Sequence, residues 1–167
     1  MRKLIFLSAC CLMLANSVVF ADCQNISLQV RLVDEDHQYK KGARLPRGSE
    51  AFHVRNEQEM LLVKKAVIFT GEHIADASPG ADRRTNEPVV NLTLDSVGTH
   101  KLKDVTHDNV NKRMAIILFK QGEGEIIFAP FIRERIDNGR LQISGLTTIA
   151  EAQNIADAIK CQARQRH

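Results

Sequence analysis

The residues best placed to do chemistry are His100, Asp104, His107 and Asp108. Spacings of four and seven can gather metal ligands, or an acid and a base, on one face of a helix. At about 100° per residue, with Gly98 as zero, they fall at roughly 200°, 240°, 180° and 280°. Gly98, Leu102, Val105 and Asn109 fall within about 40° of Gly98, on the opposite side. The four polar residues therefore mark the solvated face of an amphipathic helix. Metal sites in small domains draw ligands from a second element and a walled cavity, which nothing else in this stretch supplies. His53 and His73 stand alone. Gly122-Glu123-Gly124 reads as a turn, because no helix N-terminus follows it to hold an anion. No Ser lies in a G-x-S-x-G elbow and no cysteine sits in a nucleophile context. Asn25-Ile26-Ser27 and Asn91-Leu92-Thr93 are glycosylation sequons of a kind that chance often produces. The expectation is a non-enzyme with no cofactor and no metal, a His100/His107 enzyme being the alternative.

The elements around that helix are legible from period and punctuation. Ile26, Leu28, Val30 and Leu32 alternate with polar residues, as in a half-buried strand. Residues 34–50 are a polar loop, and Ala51 to Val54 a short strand. Met60 to Phe69 holds one strand or two short ones. Thr70 is read as the cap of a short helix, Gly71 to Ala77, stopped by Ser78-Pro79-Gly80. A strand from Pro88 to Leu94 follows, then the helix capped by Asp95 or Ser96. Met114 to Phe119 and Glu125 to Phe131 form a hairpin around Gln121 to Gly124, with Pro130 marking an end or edge. Leu141 and Ile143 lie on a last strand. Thr148-Ile149-Ala150-Glu151 is a capping box opening a helix to Lys160, with Ile149, Ala152, Ile155, Ala156 and Ile159 on one face. This order predicts one α+β domain: a mostly antiparallel sheet with two main helices packed on one side.

The ends of the chain bear on compartment. Of 167 residues, the first carry Arg2 and Lys3, then an apolar run from Leu4 to Ala15, then Val19-Phe20-Ala21. Charge, apolar stretch and small-x-small exit form a secretory signal, with cleavage expected after Ala21. The run is about a dozen residues, short of the roughly 20 that span a bilayer. Leu7-Ser8-Ala9-Cys10 spells a rival lipobox that would anchor the chain through Cys10. Cleavage after Ala21 removes two of the 23 basic residues and none of the 20 acidic ones, leaving 21 against 20. So balanced a chain has no electrostatic footprint for nucleic acid. It would keep Cys23 and Cys161, an even pair in an oxidising compartment; a disulfide is expected, with free thiols or a metal pair as alternatives. By loop-entropy models such a long-range bridge contributes roughly 4–5 kcal/mol. The segmentation expected is residues 1–21 signal, 22–59 strand and polar loop, 60–161 the main α+β unit and 162–167 a basic tail.

From Thr70 onward the sequence is similar to a known family. Thr70-Gly71 with Ala75 and Ala77 opens the resemblance. Pro88 to Asp95, then Gly98, Leu102, Thr106, Asn109-Val110 and Lys112, continues it. Met114 to Leu118, Ala129-Pro130-Phe131-Ile132, Ile136, Gly139, Ile143-Ser144-Gly145 and Glu151-Ala152 follow in order. This set resembles the head subdomain of the large periplasmic domain of SecD, in the SecDF protein-export family, over about residues 60–160. Asn111 departs from it, where the family usually has glycine, and so does Leu102, where an aromatic is frequent. The resemblance implies that Gly98 lets its helix lie close on the sheet. It also implies turns at Gly139 and Gly145, and close packing at Ala115 and Ala129. It implies a periplasmic, non-enzymatic protein-binding module whose partners are exported polypeptides or one envelope protein. An exposed edge, Leu141 to Ser144 or Ile26 to Leu32, would accept an extended segment. The alternative is a structural or lipid-anchored part of an envelope assembly.

Overall fold

The computed structural model describes residues 26–164. Eight strands and two helices follow one another: β1 (Ile26–Val33), β2 (Ser49–Val54), β3 (Met60–Thr70), β4 (Ile74–Ala81), β5 (Pro88–Leu94), α1 (Ser96–Asp108), β6 (Met114–Lys120), β7 (Glu123–Phe128), β8 (Arg140–Ile143) and α2 (Ile149–Arg164). The fold is α+β with mostly antiparallel pairing, as expected, but the single sheet divides in two. Strands β1, β3, β2, β7 and β6 close into a small barrel, and β4, β5 and β8 form a separate sheet. Closure uses one short parallel contact, His53 and Val54 of β2 against Glu125 and Ile126 of β7.

β6 shows why two layers are needed. Met114 to Leu118 are all buried, because successive side chains enter different cores. Ala115 and Ile117 point into the barrel with Val33, Phe52, Leu61, Val63 and Ile126. Met114, Ile116 and Leu118 point outward into a larger core shared with β4, β5, β8 and both helices. A strand buried on both faces reads as a continuous apolar run, and Met-Ala-Ile-Ile-Leu is one.

The expected helix from Gly71 to Ala77 is not formed. Gly71–His73 make a single 3-10 turn, and the chain then runs as β4, pairing Ala77 with Leu92 and Pro79 with Val90 of β5. Ile74 and Ala77 are buried with Ala75 and Asp76 exposed between them, a spacing a helix could share, and the ladder to β5 is what makes this segment a strand. Pro79 is tolerated because β4 is an edge of its sheet. Met60 to Phe69 is one strand, bulged opposite Val30 and Arg31 of β1.

Most local signals elsewhere hold, though the hairpin turn is two residues rather than four and β7 runs Glu123–Phe128 rather than Glu125 to Phe131. Asp95 caps α1, its side chain accepting from Gly98 N–H at 2.7 Å. Gln121 and Gly122 both have positive φ, 53° and 88°, the pair a two-residue hairpin requires. Thr148 Oγ1 accepts from Glu151 N–H at 3.1 Å, one half of the capping box. The other half differs: the Glu151 carboxylate reaches past the cap to Thr147, accepting from its N–H at 2.9 Å. Of the predicted α2 face, Ala152, Ile155, Ala156 and Ile159 are buried, while Ile149, in the first turn beyond the core, is 57% exposed.

Candidate functional site

The α1 face that first suggested chemistry is solvated. His100, Asp104, His107 and Asp108 are all exposed. His107 Nδ1 lies 2.7 Å from Asp108 Oδ1, a pair more than two-thirds exposed on both sides. A shallow hollow of about 270 Å³ beside them is lined by Lys103, Asp104, His107, Asp108 and Arg135, and His100 is not part of it. Among the described residues no three His, Cys, Asp or Glu side chains gather as a metal set. His73 has a positioning role, its Nδ1 3.4 Å from Asp95 and its Nε2 3.0 Å from Lys101 Nζ. His53 is exposed on β2.

The residues singled out for the fold lie where α1 and the hairpin meet their neighbours. A Cβ on Gly98 would stand 2.8 Å from His73 Cβ and 3.1 Å from its carbonyl oxygen, so α1 lies directly on the turn before β4. Gly139 has φ 63°, and a Cβ there would stand 2.2 Å from Thr99 Oγ1. Gly145 has φ 77° and open space around it. Ala115 is fully buried in the barrel. Pro130 lies beyond β7, its carbonyl accepting from Met114 N–H at 3.0 Å. Cys161 is half-buried near the end of α2; Cys23 and the export signal, with Cys10 and Ala21, lie outside the described residues.

Thr106 is a residue that periodicity misses. Its side chain is fully buried. Oγ1 donates to Leu102 O at 2.8 Å and accepts from Ile136 N–H at 2.9 Å, tying the 131–138 segment to α1. On a helical wheel it lies next to the predicted stripe, and only its hydroxyl's partner reveals the role.

The two candidate edges have different outcomes. Ile26 to Leu32 cannot accept a strand, because β1 pairs with β3 on one side and β6 on the other. β8 is terminal in its sheet, bonded to β5 along one side through Arg140 to Ile143. It is short, with Arg140 and Gln142 exposed, features that blunt an edge against uncontrolled pairing.

The second feature is the polar loop after β1. Asp34 begins it and Ser49 ends it, and Ser49 Oγ donates to Asp34 Oδ2 at 2.5 Å. The Ser49 hydroxyl, helped by His37 Nδ1 at 3.0 Å, holds the Asp34 carboxyl below its ordinary pKa despite burial. This clasp closes the loop over the barrel end. Next to it Glu35 takes two bonds from the Arg113 guanidinium, 2.8 Å from Nε and 3.2 Å from Nη2, and a third from the Arg113 N–H at 3.4 Å. The guanidinium lowers the Glu35 pKa and is itself raised by the carboxylate. A cleft of about 430 Å³ opens between this pair, Tyr39, Glu59 and Met60. A second, also about 430 Å³, lies on the other side of His37 to Tyr39, against Leu45 and Pro46. Beyond Arg113 stands Phe131, half exposed, with the Arg113 and Arg133 guanidiniums 5.8 and 5.6 Å from its ring centre. The sequence carries no spacing signal for this neighbourhood, which joins segments almost 100 residues apart.

Comparison with known proteins places this architecture. A model of the SecDF P1 head subdomain matches residues 49–163. The protein translocase subunit SecD of Desulfurispirillum indicum is 33% identical over 144 residues, covering 80% of this chain and 27% of that one. SecD of Calditerrivibrio nitroreducens is 37% identical over 99 residues, covering 59% and 18%. SecD of Escherichia coli K12 is 29% identical over 140 residues, covering 83% and 20%. The chain thus spans about a fifth to a quarter of these relatives. A solved structure of SecDF, described as a membrane component that enhances protein export, superposes with TM-score 0.62 at 28% identity. It covers 83% of this chain and 64% of that one. SecDF in its super-membrane-facing form gives the same score over 81% and 19%.

Proposed function

The chain belongs to the SecDF P1 head subdomain family, and from that premise we propose that it is a non-enzymatic protein-binding module serving protein export. It works in the periplasm after cleavage behind Ala21, with Cys23 and Cys161 joined so that the start of β1 and the end of α2 stay together. The Leu28 N–H donates to Gln162 Oε1 at 2.8 Å, bringing β1 beside the residue that follows Cys161, which favours that pairing. Among the described residues no helix is long and apolar enough to cross a membrane.

The observation that carries this reading is the family match over residues 49–163 together with the outer edge of β8, which no other described strand pairs. Backbone donors and acceptors along that edge suit an extended segment of another chain, which β-augmentation binds without a preformed pocket. Partners are unfolded exported polypeptides or one dedicated envelope protein.

Binding of the purified mature chain to one exported protein, presented native and unfolded, tests the reading. Retention of the unfolded form alone supports general binding. Equal indifference to unfolded exported proteins and to envelope extracts would remove the proposal.

A further inference from the structure

Among the described residues, Phe131 is the one phenylalanine that faces solvent, with half its surface exposed. Its position is dictated by a rigid backbone. Phe131 bridges Arg113, Ile132 N–H donates to Lys112 O at 2.9 Å, and Asn111 N–H donates to Ile132 O at 2.8 Å. Ile132 is buried, so the residue before it must point out. A ring held in this way loses little freedom on meeting a partner.

The charges around the ring are unequal. Arg113 is neutralised by Glu35. Among the described residues Arg133 makes no ion pair, and the Lys112 ammonium bonds the neutral Asn109 Oδ1 at 2.9 Å. Glu134, next along the chain, pairs with neither. An uncompensated cation, Arg133, therefore lies against an exposed aromatic ring, with Val110, 42% exposed, on the adjoining segment. Phenylalanine and arginine are enriched at interface centres. A second copy of this chain would bring Arg133 against its own kind, which like-charge repulsion opposes.

We propose that the Phe131 surface, with Arg133 against its ring, receives a polypeptide segment that combines an apolar side chain with a neighbouring carboxylate. The inference rests on the protein-binding reading and names a surface and a partner chemistry for it. The ring takes the apolar side chain, and Arg133 takes the carboxylate through charge-assisted hydrogen bonds.

The test uses the mature chain and two labelled unstructured peptides of equal length and leucine content, one bearing aspartates and one lysines, followed by fluorescence anisotropy at low salt. The aspartate peptide binds, and the lysine peptide binds at least about tenfold more weakly. Phe131→Ala and Arg133→Glu each weaken the aspartate peptide by about tenfold or more, with wild-type urea midpoints. Ile149→Ala, which trims an equally exposed apolar residue on α2, leaves binding unchanged. If the aspartate peptide binds but ignores Phe131→Ala and Arg133→Glu, this surface is wrong while the protein-binding reading stands. If neither peptide nor an unfolded exported protein binds, both fall. Sedimentation with phosphatidylglycerol vesicles that is lost in Phe131→Ala, without peptide binding, would reassign the surface to lipid and overturn the proposal.

Discussion

Thr106→Val removes one atom's chemistry and little volume, so its consequence can be worked from the structure. The hydroxyl is fully buried, donates to Leu102 O and is the acceptor for Ile136 N–H. Valine matches threonine in size and closely in helix propensity, so α1 itself is little affected. Leu102 O keeps a helical bond, but Ile136 N–H loses its acceptor in a partly buried place. An unsatisfied donor of this kind costs about 1–3 kcal/mol, and the half-buried site points to about 1–2. With a urea slope of about 1.5 kcal/mol per molar for a small domain, the midpoint falls by about 1 M. Equilibrium urea unfolding reads that shift, and amide hydrogen exchange locates it. Ile136 should lose protection in Thr106→Val and keep it in Thr106→Ser, which retains both bonds and gives up only a methyl group. A Thr106→Val protein with an unshifted midpoint and a protected Ile136 amide would refute the reasoning that this hydroxyl holds the 131–138 segment.

Three further outcomes follow from the same kind of argument. Gly98→Ala gains about 1 kcal/mol of helix propensity but forces a Cβ to within 2.8 Å of His73 Cβ, an overpacking of about 1–3 kcal/mol; thermal unfolding should show net loss, and a more stable variant would contradict the close approach. The Asp34 carboxyl has a folded pKa below its unfolded value of 3.8. Its contribution is therefore present above pH 3.8 and lost as pH falls through the folded value. Ser49→Ala should raise that folded value in a carboxyl NMR titration, and an unmoved titration would show that the clasp does not set it. Cys161→Ser in the chain cut after Ala21 should lower stability by up to about 4–5 kcal/mol. The unreduced wild type should take up no thiol reagent, and labelling of Cys161 would dissolve the proposed bridge.

What the sequence reveals and what it hides divides along the range of the interaction. Caps and turns are local: Asp95 before α1, Gln121-Gly122 in the hairpin and Thr148 before α2 each act within a few residues, and each is readable as written. Strand identity is half local. Ile74 to Ala81 contains Ala75, Ala77 and Pro79 in a pattern too weak to separate a short helix from an edge strand. Only the pairing with β5 decides it. Closure of the barrel is non-local, because β1 must pair β3 and β6 at once. The alternation of Ile26 to Leu32 shows a strand but not its two neighbours, so an edge was expected where none exists. The candidate site is the least legible part. Asp34 meets Ser49 and Glu35 meets Arg113, and neither contact follows a helix or strand period. The bare composition of the 34–50 loop conceals the clasp that closes it. The α1 histidines show the opposite case, a conspicuous spacing on a solvated face.

In-cell photo-crosslinking, with probes along β8, at Phe131 and on the exposed face of α1, tests the central claim most directly. The account predicts crosslinks to polypeptide at β8 or Phe131 and few on α1. A smear of exported proteins would mean general binding, and one discrete band a dedicated partner. Protein crosslinks absent from every position would contradict the account and leave this member of the SecDF head family without a role in protein binding.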